Sequence, residues 1–443
     1  MSRPAPRTRR LRTAGLLAGA LVLGLAAPAA STPDAAVTAR AAHGRGTGGE
    51  WVGTWADVPT AVPAGGVTVV QDQTVRQVLH ASIGGDSLQL RFTNEFGETP
   101  LVIGEAHVGL RAGRTGTDVQ PGTDRRITFG GSTSTTVPAG SPLLSDPVPL
   151  HLPDGGDLVV SIHLPRRTPV TTVHAFPYQD NVLAAGNVTG AASVTPTATV
   201  GQWWFLSGVS VLTPERERAA AIVALGDSIT DGAETTRGAN RRWPDLLAER
   251  LRAARGLPER GVLNKGVSGN RLLHDPNPPA GSPAEGYAAY FGQSALRRFD
   301  RDVAAQPGAE YLVVLLGVND LGHPGTSAPE SETVTAQQIV DAHRQLIARA
   351  HQLGITAIGG TILPFEGDTL GFFSEENEAA RQQVNHWIRT SGEYDAVVDF
   401  DAALRDPRDH RRLNPRYDSG DHLHPNDAGM RAMAEAVPLR LFR

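Results

Sequence analysis

The chain has 443 residues, of which 40% are hydrophobic and 20% charged, and its formal net charge is −5. This length favours two domains, and the composition is typical of a soluble globular protein. The acidic balance argues against nucleic acid or an anionic membrane surface as a partner, and the absence of cysteine excludes thiol catalysis, thiolate metal ligands and disulfides.

The first thirty residues have the pattern of an export leader. A head with five arginines precedes an apolar run at residues 13–25 and a small-residue A-P-A sequence. The run is too short to span a bilayer, so we expect residues 1–30 to be a secretory signal peptide rather than an anchor helix. Arg9 and Arg10 also suggest twin-arginine export, and the route stays open. The mature protein is then secreted, with a disordered segment at residues 31–48.

Short runs of alternating apolar and polar residues dominate the chain up to residue 212. Examples are TVRQVLHASI, SLQLRFTNEF and DLVVSIHLP, separated by turns rich in Gly, Pro and Asp. This period of two predicts an all-β sandwich or jelly roll over residues 49–212. Near its end stand Trp203, Trp204 and Phe205. Alternate members of this trio fill the sandwich core, or one indole packs between domains or walls a pocket; the sequence leaves both readings open. Residues 212–219, LTPERERA, resemble a short domain seam.

From residue 217 onward, strands alternate with helices. The predicted strands are residues 220–225, 262–267, 311–316, 355–363 and 396–400. The main predicted helices cover residues 284–304, 333–352, 375–390 and 426–437, and a further helix follows Trp243. This order predicts an α/β domain over residues 217–443, with a parallel five-stranded sheet and helices on both faces. Ligands bind such sheets beyond the carboxyl ends of the strands.

Three stretches place polar groups at those strand ends. The first strand runs into GDSITDG, where Gly226 permits a tight turn and Ser228 can present its hydroxyl and its N–H. The second runs into NKGVSGN, where Gly269 exposes a backbone N–H, and the third into GVND, where Asn319 can aim its amide at the same spot. Taken singly, Ser228 and Gly269 are more typical of a helix cap and a turn than of a catalytic site, and Asn319 also fits a helix cap.

The stretch SGDHLHPNDAG lies just before the last predicted helix. Asp421 and His424 are three residues apart, so the carboxylate can fix one imidazole nitrogen and aim the other outward. That is the arrangement of base and orienting acid that a serine nucleophile requires. His422 is an alternative functional ring, and Asp421, His422 and His424 are also potential metal ligands. The three-residue spacing favours His424.

Four blocks, GDSITDG, NKGVSGN, GVND and DHLH, thus occur in order over about half the chain. This set resembles the SGNH/GDSL hydrolase superfamily, which implies a flavodoxin-like sheet and no metal or other cofactor. The roles that the resemblance implies are Ser228 as nucleophile, His424 and Asp421 as the other triad members, and Ser228, Gly269 and Asn319 as the oxyanion hole, with Gly266 as the alternative to Gly269.

The resemblance implies a secreted serine esterase that forms an acyl-enzyme. A secreted chain with a β-rich first half is similar to two-domain bacterial esterases of this superfamily, some of which act in plant polysaccharide breakdown. That implies acetyl or short acyl esters, including those on carbohydrate. A lipase or lysophospholipase is the alternative enzyme, and a non-catalytic carbohydrate-binding protein is the alternative of another class.

Four further residues have weaker sequence signals. His274 and His323 follow the motif blocks on loops and are candidates for lining the pocket, although both patterns also fit surface histidines. Asp227 and Asp231 are expected to brace the turn of the nucleophile rather than to take part in chemistry. The sequence gives no prediction of oligomeric state.

Overall fold

The computed structural model describes residues 49–214 and 218–443. The predicted leader and disordered segment therefore lie outside the described residues, and so does the middle of the predicted seam. The described residues form one compact unit. We call residues 49–214 the β-rich region and residues 218–443 the α/β region. None of the described helices is both long and apolar enough to cross a membrane.

The β-rich region consists of short antiparallel strands. Their bounds are β1 (Gly49–Ala56), β2 (Thr60–Ala61), β3 (Val69–Val70), β4 (Gln73–His80), β5 (Gly85–Thr93), β6 (Leu101–Ile103), β7 (Glu105–Leu110), β8 (Arg125–Arg126), β9 (Thr135–Val137), β10 (Pro142–Leu144), β11 (Val148–Leu152), β12 (Asp157–Leu164), β13 (Thr168–Pro169), β14 (Thr172–His174), β15 (Asn181–Ala185), β16 (Ala198–Val200), β17 (Trp203–Trp204) and β18 (Leu206–Pro214).

Two sheets make the body of this region. One has the order β1-β18-β5-β10, with β11 also pairing with β5, and the other has the order β16-β15-β4-β12-β7-β8. Alternate residues of both sheets are buried in one apolar cluster, as the period of two requires: Leu88, Leu90 and Phe92 of β5 with Leu158, Val160 and Ile162 of β12. The predicted antiparallel β fold before the α/β sheet is confirmed.

The α/β region contains a parallel five-stranded sheet with the order β20-β19-β21-β22-β23. Its strands are β19 (Ala220–Gly226), β20 (Arg260–Gly266), β21 (Ala309–Leu315), β22 (Thr356–Gly360) and β23 (Ala396–Val398). The first strand of this region therefore lies inside the sheet and the second at its edge, which is the flavodoxin-like order. The predicted fold class is confirmed. The carboxyl ends of β19, β20 and β21 lie side by side, and they position the site described below.

The helices of the α/β region are α1 (Ser228–Asp231), α2 (Trp243–Ala253), α3 (Ala295–Phe299), α4 (Val318–Gly322), α5 (Ala336–Gln352), α6 (Glu375–Thr390), α7 (Phe400–Leu404) and α8 (Asp427–Ala436). Four of them, α2, α5, α6 and α8, lie close to predicted positions, whereas the short helices α1, α4 and α7 were not predicted. The helix predicted over residues 284–304 forms only in its second half, as α3 and the π-helical turn Asp300–Ala304 that continues it. Two 3-10 turns, Pro283–Gly286 and Ala288–Phe291, precede α3, and Gly292 with φ of 66° ends the second of them.

The two regions pack against each other through β1 and β20. The Gly53 N–H donates to the Pro307 carbonyl at 2.9 Å, and a Cβ at Gly261 would lie only 2.0 Å from the Gly53 carbonyl oxygen. Trp203 lies at the same junction. Its ring packs edge-on to Trp55 at 4.9 Å, and the guanidinium of Arg242, from the α/β region, lies 5.8 Å from its centre.

Candidate active site

Ser228 lies in the tight turn that links β19 to α1. A Cβ at Gly226 would lie 2.1 Å from Thr230 Oγ1, so only glycine fits before the turn. The Asp227 carboxylate caps α1 by accepting the Ile229 N–H at 3.0 Å. Ser228 is the first residue of the helix, so its N–H needs no partner inside α1 and remains free to bind an anion.

The structure brings Ser228, His424 and Asp421 into one hydrogen-bonded chain. Ser228 Oγ lies 2.8 Å from His424 Nε2, and His424 Nδ1 lies 2.5 Å from Asp421 Oδ2. Burial alone would raise the pKa of Asp421, but its bonds to the His424 ring and to backbone N–H groups hold that pKa well below its usual range. Asp421 is therefore an anion that can accept a hydrogen bond from His424 Nδ1, while Nε2 points toward the serine.

His422 does not reach the serine. Its Nδ1 pairs with Asp418 Oδ2 at 2.5 Å, and its side chain is 48% exposed. Asn426 caps α8 by accepting the N–H groups of Ala428 and Gly429, which fixes the turn that follows His424. The geometry therefore distinguishes between the two rings that the sequence left open. Among the described residues, no cluster of three or more His, Asp or Glu side chains is arranged to hold a metal ion.

Three hydrogen-bond donors belong to residues that line the cavity. They are the N–H of Ser228, the N–H of Gly269, which has no acceptor among the described residues, and the side-chain amide of Asn319. The Asn319 Nδ2 donates one hydrogen to the Asn270 carbonyl at 3.0 Å and keeps the other. Gly266 lies outside this cavity, and its N–H is already bonded to Asn264 Oδ1 at 2.9 Å. The geometry favours Gly269 over Gly266.

Buried polar groups fix the loop that carries Gly269. Asp320 accepts the N–H groups of Leu272 and Leu273 at 2.8 and 3.0 Å. Arg298, 1% exposed, donates to the Asn270 side chain and to carbonyls at the ends of β19 and β20. These bonds hold the part of the loop that follows Gly269, from Asn270 to Leu273.

The cavity in front of Ser228 has a volume of about 430 Å³ and aromatic walls. Its lining comes from both regions of the molecule: Phe176 and Tyr178 from the β-rich region, and Tyr287, Phe291, His323 and Phe372 from the α/β region. Arg242 donates to the Pro177 carbonyl, and Gly238 donates to the Tyr178 carbonyl. The loop of the β-rich region is thereby tied to the α/β region at the cavity wall.

His323 lies between two of these rings, 5.0 Å from the centre of Phe291 and 5.4 Å from that of Phe372. Burial, with Arg271 nearby, lowers the pKa of His323 to about 3, so the ring is neutral at ordinary pH. His323 and His274 were both candidates for lining the pocket. His323 lines the cavity, whereas His274 is not part of its lining. A neutral imidazole adds a polar surface to this wall without adding charge.

Two buried carboxyl groups adjoin residues of the cavity: Asp227 precedes Ser228, and Asp320 follows Asn319. Burial raises the pKa of Asp227 to about 7 and that of Asp320 to about 6. Asp231, the other acid of the first block, is 3% exposed and pairs with Ser268 and with His174 of the β-rich region. The aromatic residues of the cavity and His174 were not found from the sequence, because they lie far along the chain from the four blocks.

Comparison with known proteins identifies the class of molecule. Residues 224–432, from within β19 to within α8, match the model of the GDSL-like lipase/acylhydrolase family. The protein is therefore a carboxylic ester hydrolase. This part of the chain belongs to the GDSL-like lipase/acylhydrolase family, as its four blocks indicated. No curated protein matches the chain in sequence.

Several solved structures resemble the α/β region. A GDSL-like lipase from Bacteroides thetaiotaomicron is 19% identical, with 51% of this chain and 87% of that chain covered and a TM-score of 0.33. An acetylxylan esterase from Geobacillus stearothermophilus is 20% identical over 49% of this chain and 91% of that one, with a TM-score of 0.36. An alpha/beta hydrolase enzyme from the metagenome of Lake Arreo is 20% identical over 49% and 92%, with a TM-score of 0.35.

Proposed function

We propose that this hydrolase works through a covalent acyl-enzyme on Ser228. The observation that carries the proposal is the 2.8 Å contact between Ser228 Oγ and His424 Nε2 at the wall of the cavity. His424 takes the hydroxyl proton as Ser228 attacks the ester carbonyl, while Asp421 stabilises the imidazolium that forms. His424 then gives that proton to the leaving alcohol.

The oxyanion of the tetrahedral intermediate is stabilised by three donors. They are the N–H groups of Ser228 and Gly269 and the free amide hydrogen of Asn319, all of which line the cavity. A water molecule, activated by His424, attacks the acyl-enzyme in the second half of the reaction, and the same donors act again. The cycle needs no metal or organic cofactor.

For the substrate, we propose an ester of an acetyl or other short acyl group, with the larger part of the cavity taken by the alcohol. A volume of about 430 Å³ lies within the usual range for small-molecule sites and far exceeds an acetyl group. The spare volume and the exposed Glu234 at the cavity fit a hydroxyl-rich alcohol such as a sugar unit.

A second candidate, an ester of a longer apolar acyl chain, is favoured by the aromatic walls. Leu370 and Tyr287 also line the cavity and are 52% and 41% exposed, so an apolar chain would find apolar surface at the entrance. Rates on p-nitrophenyl esters from acetate to laurate, and on acetylated sugars, distinguish the candidates. A kcat/KM that peaks at acetate supports the first, and a peak at eight carbons or more supports the second.

Substitution of the nucleophile tests the mechanism. Ser228→Ala should fold normally and lose about 10⁴-fold or more in kcat, because no other hydroxyl replaces the nucleophile. A fluorophosphonate probe should label the wild type on Ser228 alone. Ser207→Ala, in the β-rich region and outside this cavity, is the matched control and should keep full activity. Retained activity of Ser228→Ala, or labelling at another residue, would contradict the proposal.

We also propose that the protein is secreted, on the pattern of residues 1–30. Expression of the full chain in a host that exports proteins should yield mature protein in the medium with an N-terminus near residue 31. Protein retained in the cells with an intact N-terminus contradicts secretion.

A further inference from the structure

The loop that carries Gly269 is tied to the β-rich region by a chain of buried hydrogen bonds. Asp231 Oδ2 accepts from the Ser268 N–H at 2.9 Å and from the Ser268 hydroxyl at 2.7 Å. Asp231 Oδ1 lies 2.9 Å from His174 Nε2 on β14. The side chains of His174 and Asp231 are each 4% exposed. Ser268 directly precedes Gly269, so this chain ends one residue from a proposed oxyanion donor.

The partners of His174 define its charge. Nδ1 lies 3.1 Å from the Val58 carbonyl oxygen, which can only accept, so Nδ1 carries a proton. Nε2 faces a carboxylate and carries a proton as well. Burial alone would lower the pKa of His174, but the carboxylate of Asp231 and the nearby Asp57 raise it above its ordinary value. His174 and Asp231 thus form a buried ion pair that joins the two regions.

We propose that His174 is a positioning residue for the oxyanion hole: through Asp231 and Ser268 it sets the place of the Gly269 N–H. The inference rests on the acyl-enzyme mechanism proposed above. Without the ring, the buried Asp231 Oδ1 would lose its side-chain partner, and the carboxylate would turn to find another. The Ser268–Gly269 backbone would then move with it. The β-rich region would in this way take part in catalysis without touching the substrate.

The test compares His174→Leu, which has similar bulk but no donor, with His174→Gln, whose amide can still donate to Asp231. A displacement of about 1 Å costs roughly 100-fold in rate, so His174→Leu should lower kcat by about 10- to 100-fold with KM nearly unchanged. His174→Gln should recover most of kcat. His163→Leu is the control, because His163 also pairs with an aspartate, Asp72, but elsewhere in the β-rich region; it should keep kcat.

Two further readouts separate positioning from a loss of folded protein. Rates are expressed per active site titrated with the fluorophosphonate, so unfolded enzyme does not count. A phenylboronic acid, whose tetrahedral adduct with Ser228 needs the oxyanion donors, should lose affinity in His174→Leu in step with kcat. An unchanged kcat per titrated site in His174→Leu overturns the inference. A loss of kcat that is equally large in His174→Gln also overturns the inference.

The same experiment separates this inference from the mechanism on which it rests. If Ser228 is labelled and Asn319→Ala is slow while His174→Leu is not, only the role of His174 fails. If the wild type is not labelled and Ser228→Ala stays active, the proposed mechanism fails first.

Discussion

The proposed role of Asn319 as an oxyanion donor can be tested by one substitution. Its amide donates to the Asn270 carbonyl and also faces the cavity beside Ser228. Asn319→Ala should lower kcat by about 100- to 1,000-fold with little change in KM, since an oxyanion donor acts in the transition state. Steady-state kinetics on p-nitrophenyl acetate measures this. Asn277→Ala, at an exposed asparagine outside the cavity, should be silent. A change in KM alone would assign Asn319 to substrate binding instead.

Asp227 links the active site to the pH dependence of stability. Burial raises its pKa to about 7 in the folded protein, against roughly 3.9 in an unfolded chain. Between these values the folded state keeps a proton that the unfolded state has released, so this group's contribution to stability falls as pH rises through that window.

Asp227→Asn removes that titration and keeps an oxygen that can cap α1. The melting temperature of the wild type should therefore fall more between pH 5 and pH 8 than that of Asp227→Asn. Thermal unfolding of both proteins at the two pH values measures the difference. Equal changes in the two proteins would contradict a buried, protonated Asp227.

At the scale of elements, one loop of the β-rich region forms part of the cavity wall. Phe176 packs edge-on to Tyr290 at 5.9 Å and lines the cavity. Phe176→Ala enlarges the cavity, so kcat/KM should shift toward bulkier esters by about 10-fold relative to acetate. Rates on an ester series from acetate to laurate measure the shift. Leu353→Ala, at an exposed leucine just after α5, is the control. An unchanged profile would mean that this wall does not touch the substrate.

That the first three motif blocks lie close together was predictable, because a parallel sheet places the carboxyl ends of its strands along one edge. An apolar run of about six residues followed by a glycine locates a strand end to within a residue or two, as β19 and β21 illustrate. The spacing of Asp421 and His424 sufficed for the last block, because one turn of chain before α8 brings the two side chains together. What was predicted correctly depends on local chain geometry.

The parts that were missed depend on packing between distant segments. Nothing in the periodicity of residues 172–178 indicates that His174 would meet Asp231 or that Phe176 would line the same cavity as Ser228, since each pair joins elements of different regions. The first half of the helix predicted over residues 284–304 is absent for a conformational reason. Gly292 adopts a left-handed φ of 66°, and the turns before it carry Tyr287 and Phe291 to the cavity instead of continuing a helix.

At the scale of the whole molecule, the junction between regions depends on a close backbone approach. Gly261→Ala would place a methyl group 2.0 Å from the Gly53 carbonyl oxygen, so β1 and β20 must separate. We expect the free energy of unfolding to fall by about 1–3 kcal/mol. Denaturant unfolding measures this, with Gly65→Ala as control, because a Cβ at Gly65 meets no atom within 4 Å. Equal free energies of unfolding of the two variants would contradict the expectation that the close approach of β1 and β20 contributes to stability.

The pairing of β1 with β18 affects how the protein folds while it is being synthesised. Gly49 pairs with Pro214 and Ala56 with Gly208, so β1, the first of the described strands to be synthesised, has no partner in its sheet until β18 is made roughly 150 residues later. Contacts of such long range form slowly. Until β18 arrives, β1 is an unpaired edge that another nascent chain can join. Nascent chains whose synthesis is stalled between β1 and β18 should therefore aggregate. Chains stalled after β18 is complete should not, because β1 is then paired.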